Sequence, residues 1–404
     1  MLKNIWSFFG YYVSLNRGLM VSIVIDCFIL IWSIINYKEV FSSSSLMIIF
    51  IAVCFTFIWQ SINLISHFFF FKRINPSEKE LSTLYDQKTK RIIYSSIKTD
   101  DLKQYNRDNT LGIMENLEVN TILRDHDAYI RPVITPEKAE LTRRYIKHYQ
   151  NNLLVFLNHK WHKIQDRRGK FTNDKKLCMA GEFNVEEKTW RVCEGYYYNG
   201  YLTNTIYNSF IGGTAYPLYP PSNSLNTPIV PFQRSPFSDH IGVSTLLLTK
   251  DGYGVILQQA SNAAQFAGKK MPTGSGSVDY ADFREDEDFR ATIIRAAERE
   301  LTEETRIFEN LPESDRVKLS TEVRSFYRDL ERGGKPEFCC LTTIDARLAD
   351  IEIYINPNQD ELAEDIRIPH RIDNKEDWKK NVLPSASVSL KMCYRAAMEY
   401  LESD

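Results

Sequence analysis

Two long apolar runs near the beginning of the chain constrain its fold most strongly. Leu19–Asn36 and Leu46–Phe71 contain almost no charged residues. A helix that crosses the hydrocarbon core of a bilayer needs about 20 mainly apolar residues. Because only Tyr37–Ser45 separates the runs, they predict a two-span transmembrane hairpin over residues 1–73. A signal peptide followed by a buried helix is the alternative, which the lack of a small-residue cleavage site before the second run disfavours.

Basic residues around the hairpin predict its orientation. The link between the two runs contains one lysine and one glutamate. The other basic residues lie outside the runs, at Lys3, Arg17, Lys72, Arg73 and Lys79. Since cytoplasmic flanks carry the excess of Lys and Arg, the amino and carboxyl termini are both predicted to be cytoplasmic.

Asp26 is an acidic residue inside the first apolar run. An ionised carboxylate that faces lipid costs roughly 2.5–3.5 kcal/mol on insertion scales. Asp26 is therefore expected to be protonated or to reach a polar partner such as Gln60, Asn63 or His67. A functional hypothesis is that Asp26 faces its copies in an oligomer and lines a polar path. The alternative is a tolerated polar residue near the end of the helix.

The composition of the whole chain excludes some classes of partner. Lys and Arg number 50 and Asp and Glu number 52, giving a formal net charge of -2. This balance predicts no DNA or RNA partner held by bulk charge. The seven cysteines include no C-x-x-C pair, so a zinc site of the usual spacing is not expected. The adjacent Cys339 and Cys340 are expected to point to opposite faces of a strand.

Residues 74–235 are predicted to form a cytoplasmic α+β middle region or linker. Ile74–Asn120 is rich in charge and is expected to form helix and linker. Pro136–His159 has apolar residues at helical spacing, and Ala180–Leu202 alternates as strands do. Gly212–Ser235 is rich in Pro, Gly, Ser and Asn, which is typical of a loop or a domain boundary.

The last third of the chain begins with a predicted β-hairpin. Ile241–Leu248 and Tyr253–Gln259 are apolar runs joined by an Asp-Gly turn signal. A glycine-bearing loop over Lys269–Asp279 is expected next. Phe289–Thr305 then has apolar residues three and four apart, which predicts an amphipathic helix.

Three glutamates share one face of that predicted helix. Glu300, Glu303 and Glu304 are spaced so that they lie side by side on a helix surface. Hard oxygen ligands of this kind suit Mg²⁺, which is usually shared with substrate phosphates. Arg299 stands beside them and is able to hold a glutamate in place. The alternative is an ordinary solvated face, which accounts for most charged helical faces.

The run Arg299–Glu304 resembles the Nudix box, whose central pattern is R-E-U-x-E-E with U apolar. Ile307 fills the last apolar position of the box, and Pro384–Leu401 resembles the closing helix of such domains. The resemblance covers residues 238–404 and implies a Nudix-like α/β/α sandwich around a mixed sheet. It implies catalytic roles for Arg299 and Glu303, and magnesium ligation by Glu300, Glu303 and Glu304.

The sequence departs from the Nudix pattern at three positions. The pattern has an upstream glycine where this chain has Glu285, an upstream glutamate where it has Ala291, and a late glycine where it has Arg306. Tyr280–Asp288 is interpreted as an insertion. The three glutamates of the pattern are present, so the resemblance implies metal binding, whereas the part of the pattern around its upstream glycine and glutamate is absent at the expected positions.

Other residues are candidates for the missing parts of the pattern. Gly274 or Gly276 is expected to supply the ligand-binding loop that the family builds around its upstream glycine. Glu361 or Glu364, in a later predicted loop, is a candidate extra base.

A two-span hairpin before a cytoplasmic nucleotide-recognising domain is similar to the membrane effectors of bacterial cyclic-oligonucleotide antiphage systems (CBASS), in particular to the transmembrane–Nudix effectors. The resemblance implies a multi-pass protein of the bacterial inner membrane that senses a cyclic nucleotide made by a partner CD-NTase. It also implies a homo-oligomer that disrupts the lipid bilayer and causes abortive infection.

Two other functions remain open from the sequence. One is a membrane-anchored, Mg²⁺-dependent Nudix hydrolase that cleaves a nucleoside diphosphate derivative. The other is a structural or adaptor membrane protein with an inactive Nudix fold. The middle region also has three open interpretations, as the real sensor, as a dimerisation module, or as an N-terminal extension of the Nudix fold.

Overall fold

The computed structural model of the chain describes residues 10–73, 81–83, 94–95, 97–99, 101–150, 153–157, 160, 172–207, 209–211, 228–259, 269–308, 317–354 and 363–403. The chain divides into two compact units. The first comprises Met1–Ser82, Arg143–Asn173 and Phe210–Pro221. The second comprises Thr83–Thr142, Asp174–Ser209 and Ser222–Asp404.

The helices and strands are numbered in chain order. The helices are α1 (Arg17–Ile35), α2 (Tyr37–Ser42), α3 (Ser44–Arg73), α4 (Leu117–Arg124), α5 (Glu137–His148), α6 (Tyr197–Gly200), α7 (Phe289–Thr305), α8 (Leu348–Tyr354), α9 (Lys375–Asp377) and α10 (Val388–Ser403). The strands are β1 (Leu81–Thr83), β2 (Asn106–Asp108), β3 (Ile113–Glu115), β4 (Arg131–Ile134), β5 (Lys175–Met179), β6 (Thr189–Tyr196), β7 (Ser209–Ile211), β8 (Gly242–Thr249), β9 (Tyr253–Gln259), β10 (Lys270–Met271), β11 (Gly274–Ser277), β12 (Leu319–Asp329), β13 (Lys335–Ile344) and β14 (Ala363–Arg371).

The first unit contains the two long apolar helices that the sequence predicts, α1 and α3. By length and composition, Arg17–Ile35 and Ser44–Ile65 are candidate membrane spans. Neither helix contains an internal proline or a run of charges, so both can satisfy their backbone groups internally, as a span must. The short helix α2 occupies most of the predicted link. Large apolar side chains of the two long helices are exposed, among them Val24, Ile25, Phe28, Ile31, Ile51, Phe55, Ile58 and Ile62.

Two hydrogen bonds between polar side chains join α1 to α3. Thr56 Oγ1 donates to Asp26 Oδ2 at 3.2 Å, and Gln60 Nε2 donates to Ser22 Oγ at 2.9 Å. Ser22 and Asp26 are one helical turn apart, as are Thr56 and Gln60, so the two bonds lie one above the other. We call these four residues the polar seam. Asp26 is buried, and its partner is Thr56 of the same hairpin.

The main sheet of the second unit contains nine strands among the described residues. Their order is β10-β9-β8-β13-β12-β3-β2, with β11 paired to β8 and β14 paired to β9. β13 runs parallel to β8, and the other pairs are antiparallel. The predicted hairpin is confirmed as β8 and β9, with Gly252 at φ +81° in the Asp-Gly turn. A smaller sheet has the order β4-β6-β5.

Helices cover both faces of the main sheet. Ile293 and Ala297 of α7 pack in the same core as Cys340 of β13. Leu390 of α10 packs in a second core with the neighbouring Cys339. Because adjacent strand residues point to opposite faces, α7 and α10 lie on opposite sides of the sheet. The predicted placement of the two cysteines and the predicted mixed α/β architecture are confirmed.

Part of the predicted middle region belongs to the same compact unit as the C-terminal third. The indole of Trp190 on β6 lies 5.5 Å from the ring of Phe289, 4.9 Å from that of Phe326 and 5.1 Å from that of Phe338. These three phenylalanines belong to α7, β12 and β13. The core of the C-terminal part is therefore completed by a side chain from the middle region.

Three described strands, β1, β2 and β3, lie where the sequence predicts helix and linker. Within Ile74–Asn120, β2 and β3 extend the main sheet beside β12. Ile113 and Met114 are buried there. The prediction is wrong at these residues because β3 pairs with β2 on one side and with the distant β12 on the other, and this tertiary pairing outweighs the local signal.

The predicted strand over Ala180–Leu202 ends early, at Tyr196, and two short helical turns follow it. Asn204 in the second turn donates from Nδ2 to Asp239 Oδ1 at 3.0 Å and accepts from the backbone N–H of Asp239 at 2.8 Å. Lys138 Nζ lies 2.8 Å from the other carboxylate oxygen of Asp239. This buried polar network stabilises the turn against the strand preference of its tyrosines.

The turn between β12 and β13 contains a partly buried set of charges. Arg332 lies between Asp329 and Glu337, with nitrogen–oxygen distances of 3.8 and 3.3 Å, and Lys335 also pairs with Glu337. Burial raises the pKa of Asp329 to about 6, although the charge of Arg332 opposes the rise. Asp329 is therefore a carboxyl group that titrates close to neutral pH.

Candidate functional site

Helix α7 supports the candidate site and spans the predicted residues, Phe289–Thr305. It begins at Asp288, whose side chain accepts a hydrogen bond from the N–H of Arg290 at 2.7 Å. Its apolar stripe is buried against the sheet, Glu300 and Glu304 lie against β11, and Glu303 is exposed. Arg306 ends the helix in the left-handed conformation, with φ +49°. The Nudix pattern has glycine at this position, and a left-handed residue is where glycine is favoured.

The glycines of β11 allow this strand to pass directly over α7. A Cβ atom on Gly276 would lie 2.1 Å from Cδ of Glu300, and one on Gly274 would lie 2.6 Å from the backbone of Leu301. A side chain at residue 274 would therefore push the strand and the helix apart, whereas one at residue 276 would displace the carboxylate of Glu300. The prediction of a loop is wrong for Gly274–Ser277, because these residues pair with β8. A ligand-binding role for the two glycines stays a prediction.

Arg299 is the centre of the polar cluster on α7. Its guanidinium donates to Asp282 Oδ2 at 3.0 Å, to Glu300 Oε1 at 2.9 Å and to Glu303 Oε2 at 3.3 Å. It also donates to the backbone oxygen of Ser277 at 3.1 Å. Arg299 thus holds a glutamate in place, as the sequence indicates.

Three residues of this cluster were not predicted from the sequence. Asp282 accepts hydrogen bonds from two nitrogens of the Arg299 guanidinium, and Asp279 lies 3.6 Å from the same group. Lys176, from β5 of the middle region, forms an ion pair with Asp279. Asp282 is thus an acidic partner of Arg299 that lies outside α7. We call Lys176, Asp279, Asp282, Arg299, Glu300, Glu303 and Glu304 the site cluster.

Burial and mutual repulsion govern the electrostatics of the glutamates. Burial raises the pKa of Glu304 well above its usual range, and the charges of Glu300 and Glu303 raise it further. Its Oε2 accepts a hydrogen bond from the N–H of Ser275 at 2.9 Å, which opposes the rise. Burial also raises the pKa of Glu300, against the lowering effect of Arg299 and of Lys176. Glu303 is 61% exposed.

The three glutamates have the chemical character of magnesium ligands. In the part of the chain that the structure describes, however, no group of three or more Asp, Glu, His or Cys side chains is arranged to hold a metal ion. Instead, Glu300 and Glu303 share the guanidinium of Arg299. One oxygen of each carboxylate is thus already bound to Arg299, and the magnesium site stays a prediction.

The remaining candidates lie elsewhere in the chain. Asp26 belongs to the first unit, in the polar seam. Glu364 lies on β14 and not in a loop. Glu361 lies outside the described residues.

Comparisons with known proteins leave the family of the chain open. No protein-family model matches the sequence, and no curated protein matches it. Among solved structures, the chain is similar to the crystal structure of DR0079 from Deinococcus radiodurans. The sequence identity is 16% over 39% of this chain and 81% of that chain, with a TM-score of 0.24. A TM-score this low does not establish a shared fold.

Proposed function

We propose that this protein is a nucleotide-responsive membrane effector of a bacterial cyclic-oligonucleotide defence system. The observation that carries the proposal is the combination of two candidate spans with a charged cluster of basic and acidic side chains in a separate α/β unit. An enzyme of housekeeping metabolism rarely needs two membrane spans. A sensor that acts on the bilayer needs both a ligand-binding unit and membrane spans.

In this proposal, a cyclic nucleotide made by a partner CD-NTase binds the Nudix-like second unit at the site cluster. Arg299 and Lys176 are its cationic side chains, and both are already paired with carboxylates. A phosphate of the ligand competes with Asp279 and Asp282 for these cations through charge-assisted hydrogen bonds. The ligand shifts the protein between two states only if it binds one of them more tightly.

The membrane part of the proposal concerns α1 and α3. They span the bacterial inner membrane with both termini in the cytoplasm, in agreement with the basic residues that flank them. Ligand binding brings copies of the chain together, and the clustered hairpins disrupt the bilayer. The resemblance to the transmembrane–Nudix effectors supports this reading.

The test uses the full chain in vesicles of phosphatidylethanolamine and phosphatidylglycerol that contain a fluorescent dye. Cyclic di- and trinucleotides, NAD, ADP-ribose and nucleoside triphosphates are added in turn, and binding, dye release and products are measured together. We expect one cyclic nucleotide to bind without cleavage and to release the dye. We expect Arg299→Ala to weaken its binding by about tenfold or more.

Glu285→Gln is the matched control. Glu285 is an exposed acidic residue close in sequence to Asp282, and it forms no ion pair with the site cluster among the described residues. It should leave both affinity and dye release unchanged. Failure of every cyclic nucleotide to bind, or equal loss in the control and in Arg299→Ala, would contradict the proposal.

The mutual repulsion of Glu300, Glu303 and Glu304 favours a second candidate function, an anchored Mg²⁺-dependent pyrophosphohydrolase of the Nudix type. A divalent cation would relieve the repulsion and bind phosphate. Under this function, Glu300→Gln with Glu304→Gln abolishes both turnover and any effect on cells. Loss of turnover with unchanged dye release would favour the sensor.

A further inference from the structure

Arg107 lies on β2, the last strand in the described order of the main sheet. Its pairing partner on β3 is Met114, which is buried in the apolar core that also contains Ile97. Because paired residues point to the same face of a sheet, the side chain of Arg107 leaves the strand toward this core. One guanidinium nitrogen, Nη1, donates a hydrogen bond to the backbone oxygen of Ile97 at 2.8 Å. This bond holds one end of the guanidinium in place.

The other two guanidinium nitrogens of Arg107, Nε and Nη2, are buried and have no hydrogen-bond partner among the described residues. They form one edge of the planar guanidinium, from which two N–H bonds point outward side by side. A phosphate or carboxylate group accepts both bonds at once through two of its oxygens. The residue as a whole is only half-buried, so this edge lies close to the protein surface. Arg107 thus has an unpaired fork of the kind that recognises oxyanions.

Arg107 also lacks the charge partner that other arginines of the second unit have. Arg324, Arg328 and Arg332 each pair with a glutamate, at nitrogen–oxygen distances of 3.0, 2.9 and 3.3 Å. In the part of the chain that the structure describes, no carboxylate forms an ion pair with Arg107. Burial lowers the pKa of Arg107, because loss of water disfavours the charged form of the guanidinium. An anion bound to Nε and Nη2 supplies the missing negative charge.

We propose that Arg107 binds a phosphate group, which accepts hydrogen bonds from Nε and Nη2 through two of its oxygens. Near neutral pH a phosphate monoester carries a charge of about −1.5 to −2, so it compensates a half-buried cation more fully than a carboxylate does. The charge and the fork of Arg107 are both satisfied by this one group.

The phosphate site is separate from the site cluster. In the order β8-β13-β12-β3-β2, four steps between neighbouring strands separate β8 from β2. Strands of a sheet lie about 4.8 Å apart, so the two strands are about 19 Å apart. Arg299 lies under β11, which pairs with β8. A single phosphate group therefore does not reach both Arg107 and Arg299, and the site at Arg107 is independent of the proposed function.

The test measures how phosphate changes the stability of the full chain in detergent micelles. The midpoint of thermal unfolding is followed as inorganic phosphate replaces sodium chloride at constant ionic strength, since chloride does not accept two hydrogen bonds side by side. An anion that binds only the folded chain raises the midpoint as its concentration exceeds the dissociation constant. A phosphate group belongs either to a free ion or to a nucleotide, so adenosine 5′-monophosphate is titrated in parallel, and acetate represents a carboxylate.

Arg107→Lys is the main variant. A lysine ammonium keeps the charge and can still donate to the backbone oxygen of Ile97, but it lacks the planar fork. We expect Arg107→Lys and Arg107→Gln to need at least about tenfold more phosphate than the wild-type chain for the same rise in midpoint. Arg131→Gln, at an exposed arginine of the same unit, is the matched control and should respond as the wild-type chain does.

The same comparison in an Arg299→Ala background separates the two sites. Because the sites are distant and share no residue, the effect of Arg107→Lys should be equal with and without Arg299. An Arg107-dependent response to either phosphate compound supports the proposal, and the tighter of the two identifies the source of the phosphate.

Three results would overturn the proposal. One is an equal phosphate response in the wild-type chain and in Arg107→Lys, and another is an effect of Arg107→Lys that vanishes in the Arg299→Ala background. The third is a stronger Arg107-dependent response to acetate than to phosphate, which would assign the fork to a carboxylate. Failure of every cyclic nucleotide to bind, by contrast, contradicts the proposed function and leaves the site at Arg107 unaffected.

Discussion

At the scale of single residues, buried acids determine how the second unit responds to pH. Burial raises the pKa of Asp329 to about 6, compared with an ordinary value of 3.8. Below about pH 4 the group is protonated in both the folded and the unfolded chain. Above about pH 6 it is charged in both, and the folded state bears the cost of the buried charge. Asp329 therefore lowers stability as pH rises through this window.

We expect Asp329→Asn to remove this pH dependence. Relative to the variant, the wild-type chain should lose up to about 3 kcal/mol of unfolding free energy between about pH 4 and pH 6, since one pKa unit corresponds to about 1.4 kcal/mol. The measurement is denaturant unfolding of the full chain in detergent micelles across this range. Asp345→Asn, at an exposed aspartate, is the control, and parallel curves for wild type and Asp329→Asn would contradict the prediction.

Sequence spacing predicted part of the site at the residue scale. The positions of Glu300, Glu303 and Glu304 on one helix face follow from helical geometry alone. The contact between Arg299 and Asp282 does not, because it depends on the turn Tyr280–Asp282, in which Asp279 and Asp282 cap each other's backbone. No spacing rule relates Lys176, on a strand of the middle region, to that turn.

At the scale of elements, the carboxyl end of α7 is strained. Arg306 has a left-handed backbone, which costs a residue with a side chain about 1 kcal/mol more than it costs glycine. The helix nevertheless ends there because Ile307 is buried in the core that also contains Leu301. Burial of Ile307 therefore keeps the backbone of Arg306 in the left-handed conformation.

We expect Arg306→Gly to raise the unfolding free energy by up to about 1 kcal/mol, since glycine adopts the left-handed conformation without strain. Thermal unfolding of the full chain in micelles checks the change. Thr302→Gly, at an exposed position inside the same helix, is the control and should lower stability by about 0.3 kcal/mol, since threonine is itself a poor helix former. A loss of stability in Arg306→Gly of the same size as in the control would show that the strain is absent.

The elements that sequence patterns predicted are those with strong local signals. The two apolar runs, the Asp-Gly hairpin and the amphipathic helix α7 each have a recognisable sequence pattern within their own residues. β3 and β11 do not, because each joins the main sheet through its pairing with a distant strand, β12 and β8 respectively. Gly274–Ser277 has no apolar alternation, so its sequence alone favours a loop.

At the scale of the whole molecule, residues from the middle region and from the C-terminal part share one core. Trp190 is fully buried among aromatic side chains of α7, β12 and β13. The sequence placed a boundary near residue 238 because Gly212–Ser235 is rich in turn-forming residues. A boundary in sequence composition does not reveal which chain segments pack together, since packing depends on tertiary structure.

We expect Trp190→Ala to destabilise the second unit by about 3–5 kcal/mol, the usual cost of removing a large buried aromatic side chain. Because the core is shared, hydrogen exchange should quicken in β6 and in β13 to a similar extent. Tyr129→Ala, at an exposed aromatic residue of the same unit, is the control and should have little effect. Faster exchange confined to β4, β5 and β6 would indicate two separate cores.

The close approach of Gly276 to Glu300 has a consequence for the evolution of this sequence. The gap between strand and helix at this point is filled by the glutamate and leaves no room for even a methyl group at residue 276. A gene that replaces this glycine must therefore shorten residue 300, turn its side chain away from the strand, or move the helix. The two codons are therefore expected to change together along lineages, and a descendant with glutamate at 300 should keep glycine at 276.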